Sequence, residues 1–134
     1  MSIKIFVNLP VKELKRSMVF FTSLGFSFNN QFTDENAACL VISENVYTML
    51  LTEKFFKTFM TREIADTSKS AEVINALFLD NRAEVDSMAE KAFKAGAGNF
   101  RDPEDMGFMY GRSFVDLDGH LWEIGWMDPK HIQS

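Results

Sequence analysis

One order of secondary-structure patterns runs twice along this chain of 134 residues. Residues 3–11 alternate in polarity and are rich in β-branched and aromatic side chains, which predicts a strand. Residues 11–26 carry apolar side chains at steps of three or four, which predicts an amphipathic helix closed by Gly25 in a left-handed conformation. Three short strand patterns follow, bounded by Asn, Asp and Ser, at residues 26–34, 37–45 and 46–53.

The second half of the chain repeats this order. Residues 72–80 predict a strand, and residues 81–98 predict a helix with Gly96 near its end. After a turn-rich segment with room for one short strand, two further strands are predicted at residues 109–116 and 120–128. Gly25 and Gly96 lie 71 positions apart, in equivalent places of the two halves. The repeated order predicts a duplicated β-α-β-β-β unit.

The chain has the length of one domain. We predict a first module at residues 1–53, a linker helix at 54–70 and a second module at 71–134. The linker begins with an apolar stripe that suits a short helix, made of Phe55, Phe56, Phe59 and Met60. Such a helix either packs on its own domain, or serves as a lid over a pocket or as a dimer contact.

Charge and cysteine content exclude several classes of function. The net charge of −5, with no basic stripe, argues against binding to nucleic acid and to anionic membranes. No stretch approaches the roughly 18 consecutive apolar residues of a membrane span, and the N-terminus lacks the pattern of a signal peptide. Cys39 is the only cysteine, which excludes an internal disulfide and fits a reducing compartment. We therefore predict a cytoplasmic location.

A polar turn precedes the last strand pattern. The side chains of Asp116 and Asp118 are expected to accept hydrogen bonds from backbone N–H groups, and Gly119 is expected to supply a positive φ. Within the strand that follows, Glu123 lies among Leu, Trp and Ile residues. A carboxylate in this position binds a metal, holds a polar ligand or is an ordinary outward-facing charge.

The two ends of the chain resemble the vicinal oxygen chelate superfamily. The resemblance is carried by the opening "NLPVKELKRSMVFFTSLGF" and the closing "GRSFVDLDGHLWEIGWMD". The superfamily includes glyoxalases such as lactoylglutathione lyases, bleomycin resistance proteins, extradiol dioxygenases and fosfomycin-resistance enzymes. The resemblance implies an α+β fold of two tandem βαβββ modules that form an open curled sheet. It also implies that a small molecule binds in the concave face, or cup, of the sheet, and that the chain forms a homodimer.

The resemblance further implies where a divalent metal would bind in metal-dependent members. Its first-strand position is Phe6 here, and the equivalent in the second module is Ile74 or, in another alignment, Leu77. Neither type of side chain binds a metal, residues 47–52 offer no good ligand, and only Glu123 of the last strand remains. With only two His in the chain, the sequence predicts neither a metal nor another cofactor.

If Glu123 faces the cup as the resemblance implies, Trp122, Ile124 and Trp126 pack against the helices. The predicted pocket then mixes apolar walls with a few polar groups, as small-molecule sites do. Its predicted ligand-binding residues are Phe6, Asn8, Ile74, Ser113 and Glu123. A carboxylate in such surroundings must be paired, hydrogen-bonded or partly protonated, and Asn8 or a water could satisfy it.

Three functions fit this pattern. The first is a metal-free binding protein of the bleomycin resistance type that takes up a partly apolar small molecule. The second is a glyoxalase-like lyase or related enzyme, with Glu123 as its catalytic acid–base or as a metal ligand through unconventional partners. The third is an interaction module that uses the Phe-rich linker. The sequence leaves open the ligand's identity and whether modules are exchanged between chains.

Overall fold

The computed structural model describes residues 1–131, which divide into two compact units, one ending at Asp66 and the other beginning at Thr67. Each unit contains a four-stranded mixed sheet with one long helix. The predicted linker segment therefore contributes to both units. Within residues 1–131, no helix is long and apolar enough to cross a membrane.

The first unit has the predicted β-α-β-β-β order. Its elements are β1 (Ile5–Val11), α1 (Leu14–Ser23), β2 (Ser27–Asn29), β3 (Ala37–Ser43), β4 (Val46–Thr52) and the single turn α2 (Glu53–Phe56). The strand order in the sheet is β1-β4-β3-β2, with β1 parallel to β4 and the other pairs antiparallel. Short 3₁₀ turns follow β2 at Asn30–Phe32 and α2 at Lys57–Phe59.

Helix α1 covers one face of the first sheet. Its buried side chains include Phe20 and Phe21, and the sheet contributes Leu40 and Leu50, which are fully buried. The helix begins at Leu14, later than the predicted residue 11, because Val11 is still paired with Thr52 in the sheet. Phe20, which directly precedes Phe21 and so adds to the stripe of apolar side chains at steps of three or four, is also buried, with 2% exposed. Gly25 ends the segment with φ of 106°, as predicted.

The second unit repeats the topology of the first. Its elements are β5 (Ile74–Phe78), α3 (Arg82–Lys94), β6 (Glu104–Asp105), β7 (Met109–Val115) and β8 (Leu121–Met127), with a 3₁₀ turn at Pro129–His131. The strand order is β5-β8-β7-β6, with β5 parallel to β8. The same order in both sheets confirms the duplicated β-α-β-β-β unit.

Helix α3 lies on one face of the second sheet. The Asn81 side chain caps the helix by accepting a hydrogen bond from the Glu84 N–H, at 2.9 Å. The helix contributes three fully buried side chains, at Val85, Ala89 and Ala92, to the core. From the sheet, Phe114, Trp122 and Ile124 are each at most 2% exposed. Gly96 follows the helix with φ of 105°, which matches Gly25 in the first unit.

The polar turn between β7 and β8 is held by Asp116. Its carboxylate accepts hydrogen bonds from the backbone N–H groups of Asp118 and His120 and, at 2.9 Å, from the indole Nε1–H of Trp122. Gly119 has the predicted positive φ, of 84°, and a Cβ at this position would overlap the Thr67 hydroxyl. The turn therefore orients the first residues of β8.

The linker forms less helix than predicted. Only Glu53–Phe56 are α-helical, and the 3₁₀ turn that follows them ends at Phe59. Phe55 and Phe59 make an edge-to-face contact, with ring centroids 5.1 Å apart, and Phe59 is 68% exposed. Its role as a lid or as a dimer contact stays a prediction.

Candidate functional site

The second sheet has one face that α3 does not cover, and we call it the open face. Residues opposite each other in neighbouring strands share a face of the sheet. Glu123 lies opposite Ala76 of β5 and Ser113 of β7, so these three residues belong to the open face. Ile74 and Phe78 lie on it and are 48% and 57% exposed. The other members of the open face, given by the same register, are Met109, Gly111, Val115, Leu121, Gly125 and Met127.

Glu123 is partnered by a residue that the sequence reading missed. Its carboxylate lies 3.5 Å from a terminal nitrogen of Arg101, and its side chain is 31% exposed. In the part of the chain that the structure describes, this ion pair is the one polar contact of the Glu123 side chain. The carboxylate therefore keeps acceptor positions for a ligand.

Arg101 also binds a second carboxylate. Its other terminal nitrogen donates a hydrogen bond to Glu104, at 2.5 Å. Glu104 lies opposite Gly111 in the β6–β7 ladder, so it belongs to the open face like Glu123. One guanidinium therefore joins two carboxylates of the same face. No pattern in the local sequence indicates either contact of Arg101, because a spacing of three residues brings side chains together only in a helix, and Arg101 and Glu104 do not lie in one.

Ser113 holds the backbone of Arg101. Its hydroxyl donates a hydrogen bond to the Arg101 carbonyl at 3.3 Å, and the residue is 3% exposed. Ser113 thus lies in register with Glu123 and joins the strand to the segment that carries Arg101. Of the predicted ligand-binding residues, Ile74, Ser113 and Glu123 belong to this face, with Ser113 beneath the surface.

Phe6 and Asn8 lie together in the first module. Phe6 is 45% exposed and stacks on Tyr47, with ring centroids 4.6 Å apart. The Asn8 amide donates a hydrogen bond to the Phe6 carbonyl at 3.2 Å. Both residues occupy the face of the first sheet that also carries Tyr47 and Met49. This face therefore offers an accessible aromatic pair.

The metal implied by the resemblance does not fit the side chains present. Among residues 1–131, no group of three or more His, Cys, Asp or Glu lies close enough together to hold an ion. The partner of Glu123 is itself a cation, because Arg is always protonated. The implied positions Phe6 and Ile74 supply phenyl and alkyl groups, which donate no electron pair to a metal.

A second polar cluster lies on the opposite face of the second sheet. Arg82 donates two hydrogen bonds of 2.8 Å to Asp105, and its guanidinium lies 5.0 and 5.1 Å from the ring centroids of Tyr110 and Trp126. The hydrogen bonds from Arg82 lower the pKa of Asp105 to about 2. Arg112 binds Asp86 and Glu90 of α3 on the same face, as alternation along β7 predicts. This cluster holds the helix to the sheet.

Comparisons with known proteins agree on the architecture. The sequence profile of the bleomycin resistance protein-like N-terminal family matches residues 5–43. The hypothetical protein SA1046 from S. aureus is 27% identical, with 94% of this chain and 95% of that chain covered and a TM-score of 0.79. A comparison with curated proteins found no match.

Two other solved structures have lower sequence identity. A glyoxalase-related enzyme from Fulvimarina pelagi is 16% identical, with 94% of this chain and 88% of that chain covered and a TM-score of 0.79. A glyoxalase/bleomycin resistance protein/dioxygenase family enzyme from Burkholderia phytofirmans is 14% identical, with 91% and 96% covered and a TM-score of 0.77. The fold is therefore shared over nearly the whole length of these chains.

Proposed function

We propose that this chain, which has the fold of the vicinal oxygen chelate superfamily, binds a partly apolar small molecule on the open face without a metal. The observation that carries the proposal is the pairing of exposed apolar side chains with a partly free carboxylate. Ile74 and Phe78 are about half exposed on the same face as Glu123. Small-molecule sites combine such apolar walls with a few placed polar groups.

The apolar part of the face is able to supply much of the affinity. Phe78 lies over Gly125, where a Cβ would come within 3.2 Å of its ring, so the glycine leaves room for the ring against the sheet. Complete burial of a Phe or Ile side chain contributes about 1.5–3 kcal/mol. A ligand that covers the exposed halves of Ile74 and Phe78 therefore gains on the order of 2 kcal/mol from these two residues.

The charges of the face favour a cationic ligand. Glu104 and Glu123 carry two negative charges and Arg101 carries one positive charge, which leaves one negative charge in excess. The whole chain has a net charge of −5, which adds to the attraction. A protonated amine is able to bind the free acceptor positions of Glu123 while the rest of the molecule covers Phe78.

The proposal includes a homodimer in the cytoplasm. Exposed apolar side chains occur on the sheets of both modules, with Phe6 at 45% and Ile74 at 48%. Apolar sheet surface of this kind favours association with a second copy or with a ligand. The single buried cysteine, Cys39, agrees with a reducing compartment.

Three naphthalene probes of equal size test the proposal. We would titrate 1-naphthylmethylamine, 1-naphthalenemethanol and 1-naphthoate into ¹⁵N-labelled protein and follow the backbone amides. We expect saturable chemical-shift changes at the amides of β5 and β8. The amine should bind most tightly, the alcohol less tightly and the carboxylate least tightly. Phe78→Ser should weaken binding of the amine about tenfold, which corresponds to about 1.4 kcal/mol.

Phe59→Ser is the matched control, because Phe59 is also exposed but belongs to the other unit. It should leave the affinity for all three probes unchanged. The proposal is wrong if none of the probes shifts β5 or β8, or if Phe78→Ser and Phe59→Ser have equal effects.

A further inference from the structure

We infer that Arg101 is a cation already present at this site and that its positive charge weakens the binding of divalent metal ions there. The inference deepens the proposed function, because it concerns the same open face. Its test uses metal ions and no organic ligand, so the two proposals can fail independently. The fold family implies a metal beside Glu123, whereas the partner of Glu123 here is Arg101.

The guanidinium of Arg101 contacts two carboxylates. One terminal nitrogen of Arg101 lies 2.5 Å from Glu104, and the other lies 3.5 Å from Glu123. The two terminal nitrogens belong to one rigid planar group, so the carboxylates are held on either side of a single positive charge. A divalent ion that bound both carboxylates would have to displace or approach this charge.

The backbone of Arg101 is fixed by a hydrogen bond from β7. The carbonyl of Arg101 accepts the hydroxyl hydrogen bond of Ser113, which is buried in β7 directly opposite Glu123. The backbone that carries the guanidinium is therefore tied to the strand beside the carboxylate. Arg101 is in this way positioned by the sheet itself, although it lies outside the regular strands.

The ion pairs of Arg101 contribute little to stability. The side chains of Arg101 and Glu104 are 41% and 48% exposed, and water screens ion pairs that are this exposed. The protein therefore does not need Arg101 to fold. The effect of Arg101 is on the charge of the open face, which becomes more negative by one unit when the guanidinium is removed.

Removal of the Arg101 side chain would leave two carboxylates on this face. Glu104 and Glu123 would become two carboxylates without their shared counter-ion, on the same face of one sheet. Carboxylate oxygens are the ligands that Mn²⁺ and Ca²⁺ prefer. We expect the loss of one cationic side chain to raise the affinity of this face for a hard divalent ion.

Mn²⁺ binding, followed by electron paramagnetic resonance of the free ion, tests this inference. Arg101→Met should bind Mn²⁺ at least tenfold more tightly than the wild type, and Arg101→Gln should do the same. Arg101→Lys keeps the positive charge, so it should bind Mn²⁺ no better than the wild type. In the double variant with Arg101→Met and Glu123→Gln, the gain should disappear.

Arg82→Met is the matched control, since it also frees a carboxylate, Asp105, from an exposed Arg. It should leave Mn²⁺ binding within twofold of the wild type. Equal Mn²⁺ affinity of the wild type and of both neutral Arg101 variants would overturn the inference. A gain that persists with Glu123→Gln, or that appears equally in Arg82→Met, would also overturn it.

Discussion

At the level of single residues, the chemistry of the open face depends on Glu123 and its environment. The carboxylate is neither isolated nor buried, because Arg101 lies beside it and 31% of the side chain is exposed. Its neighbours along the same face of β8, Leu121 and Gly125, carry no polar side-chain group. Glu123 is thus a charged group in an inner strand of the face, between Ala76 of β5 and Ser113 of β7.

Replacement of Glu123 by Gln should affect ligand affinity more than stability. The variant loses an exposed ion pair, so its free energy of unfolding, measured in urea, should change by less than about 1 kcal/mol. The affinity for 1-naphthylmethylamine should fall about tenfold, while that for 1-naphthoate should not fall. A large loss of stability, or an equal loss of affinity for both probes, would contradict this role.

Asp105 provides a test of the electrostatics at a second place. Arg82→Met should return the pKa of Asp105 from about 2 towards the ordinary value near 3.8, because the hydrogen bonds from Arg82 are lost. A carboxylate with a lowered pKa stabilises the fold above its unfolded-state pKa. The contribution of Asp105 to the free energy of unfolding should therefore fall between pH 4 and 2 in the wild type. In Arg82→Met this fall should be absent, because the folded and unfolded pKa values of Asp105 are then similar.

The measurement is a carboxyl ¹³C titration of Asp105 by NMR, with Asp34 of the first unit as an internal reference, because its carboxylate is bound by the backbone N–H groups of Asn36 and Ala37. An unchanged Asp105 pKa in Arg82→Met would show that the paired hydrogen bonds do not govern its ionisation.

At the level of secondary-structure elements, the long helix of each module is followed by a glycine with a positive φ. Gly25 and Gly96 have φ of 106° and 105°, and the chain turns at each of them from the helix towards the next strand. An L-residue with a Cβ is strained in this region, by about 1–2 kcal/mol in a left-handed conformation. The matching angles show that the two glycines occupy equivalent places in the two modules.

Gly25→Ala and Gly96→Ala should therefore each lower the free energy of unfolding by about 1–2 kcal/mol. Crowding adds little, since a Cβ at Gly25 meets nothing within 4 Å and one at Gly96 meets Leu117 at 3.4 Å. Gly98→Ala is the control, because Gly98 does not have a positive φ and its Cβ would only touch Val115 at 3.6 Å. Equal effects of all three substitutions in urea unfolding would exclude backbone strain as the cause.

Much of the fold could be predicted from sequence because its elements are local patterns. Period-two alternation marked β7 and β8, and a helical period followed by glycine marked α1 and α3. The start of α1 was wrong by three residues, since β-pairing of Val11 with the distant Thr52 extends the strand. Such a long-range contact leaves no periodic signal near residue 11.

The candidate site was less predictable for the same reason. Alternation placed Ser113 and Glu123 on a common face, because that relation is set by strand register. Arg101 belongs to an irregular segment without periodicity, and only the folded path of residues 99–107 brings it to Glu123. The sequence reading therefore found the acid of the site and missed its counter-ion.

At the level of the whole molecule, the α+β fold of two tandem modules, which the resemblance to the vicinal oxygen chelate superfamily implied, is confirmed by the sheet topology and by the shared fold of solved structures. The match of the bleomycin resistance protein-like N-terminal family over residues 5–43 agrees with that resemblance. The fold supplies an exposed sheet face, while the side chains on that face decide what binds there. Here those side chains are mainly apolar, with one guanidinium between two carboxylates.

The most direct test of binding without a metal is calorimetric titration of 1-naphthylmethylamine into wild-type protein that has been treated with EDTA and then freed of the chelator. Saturable binding, with one probe molecule per chain and a dissociation constant within twofold of that for untreated protein, is the predicted result. Binding that disappears after EDTA treatment and returns when a divalent ion is restored would contradict the account.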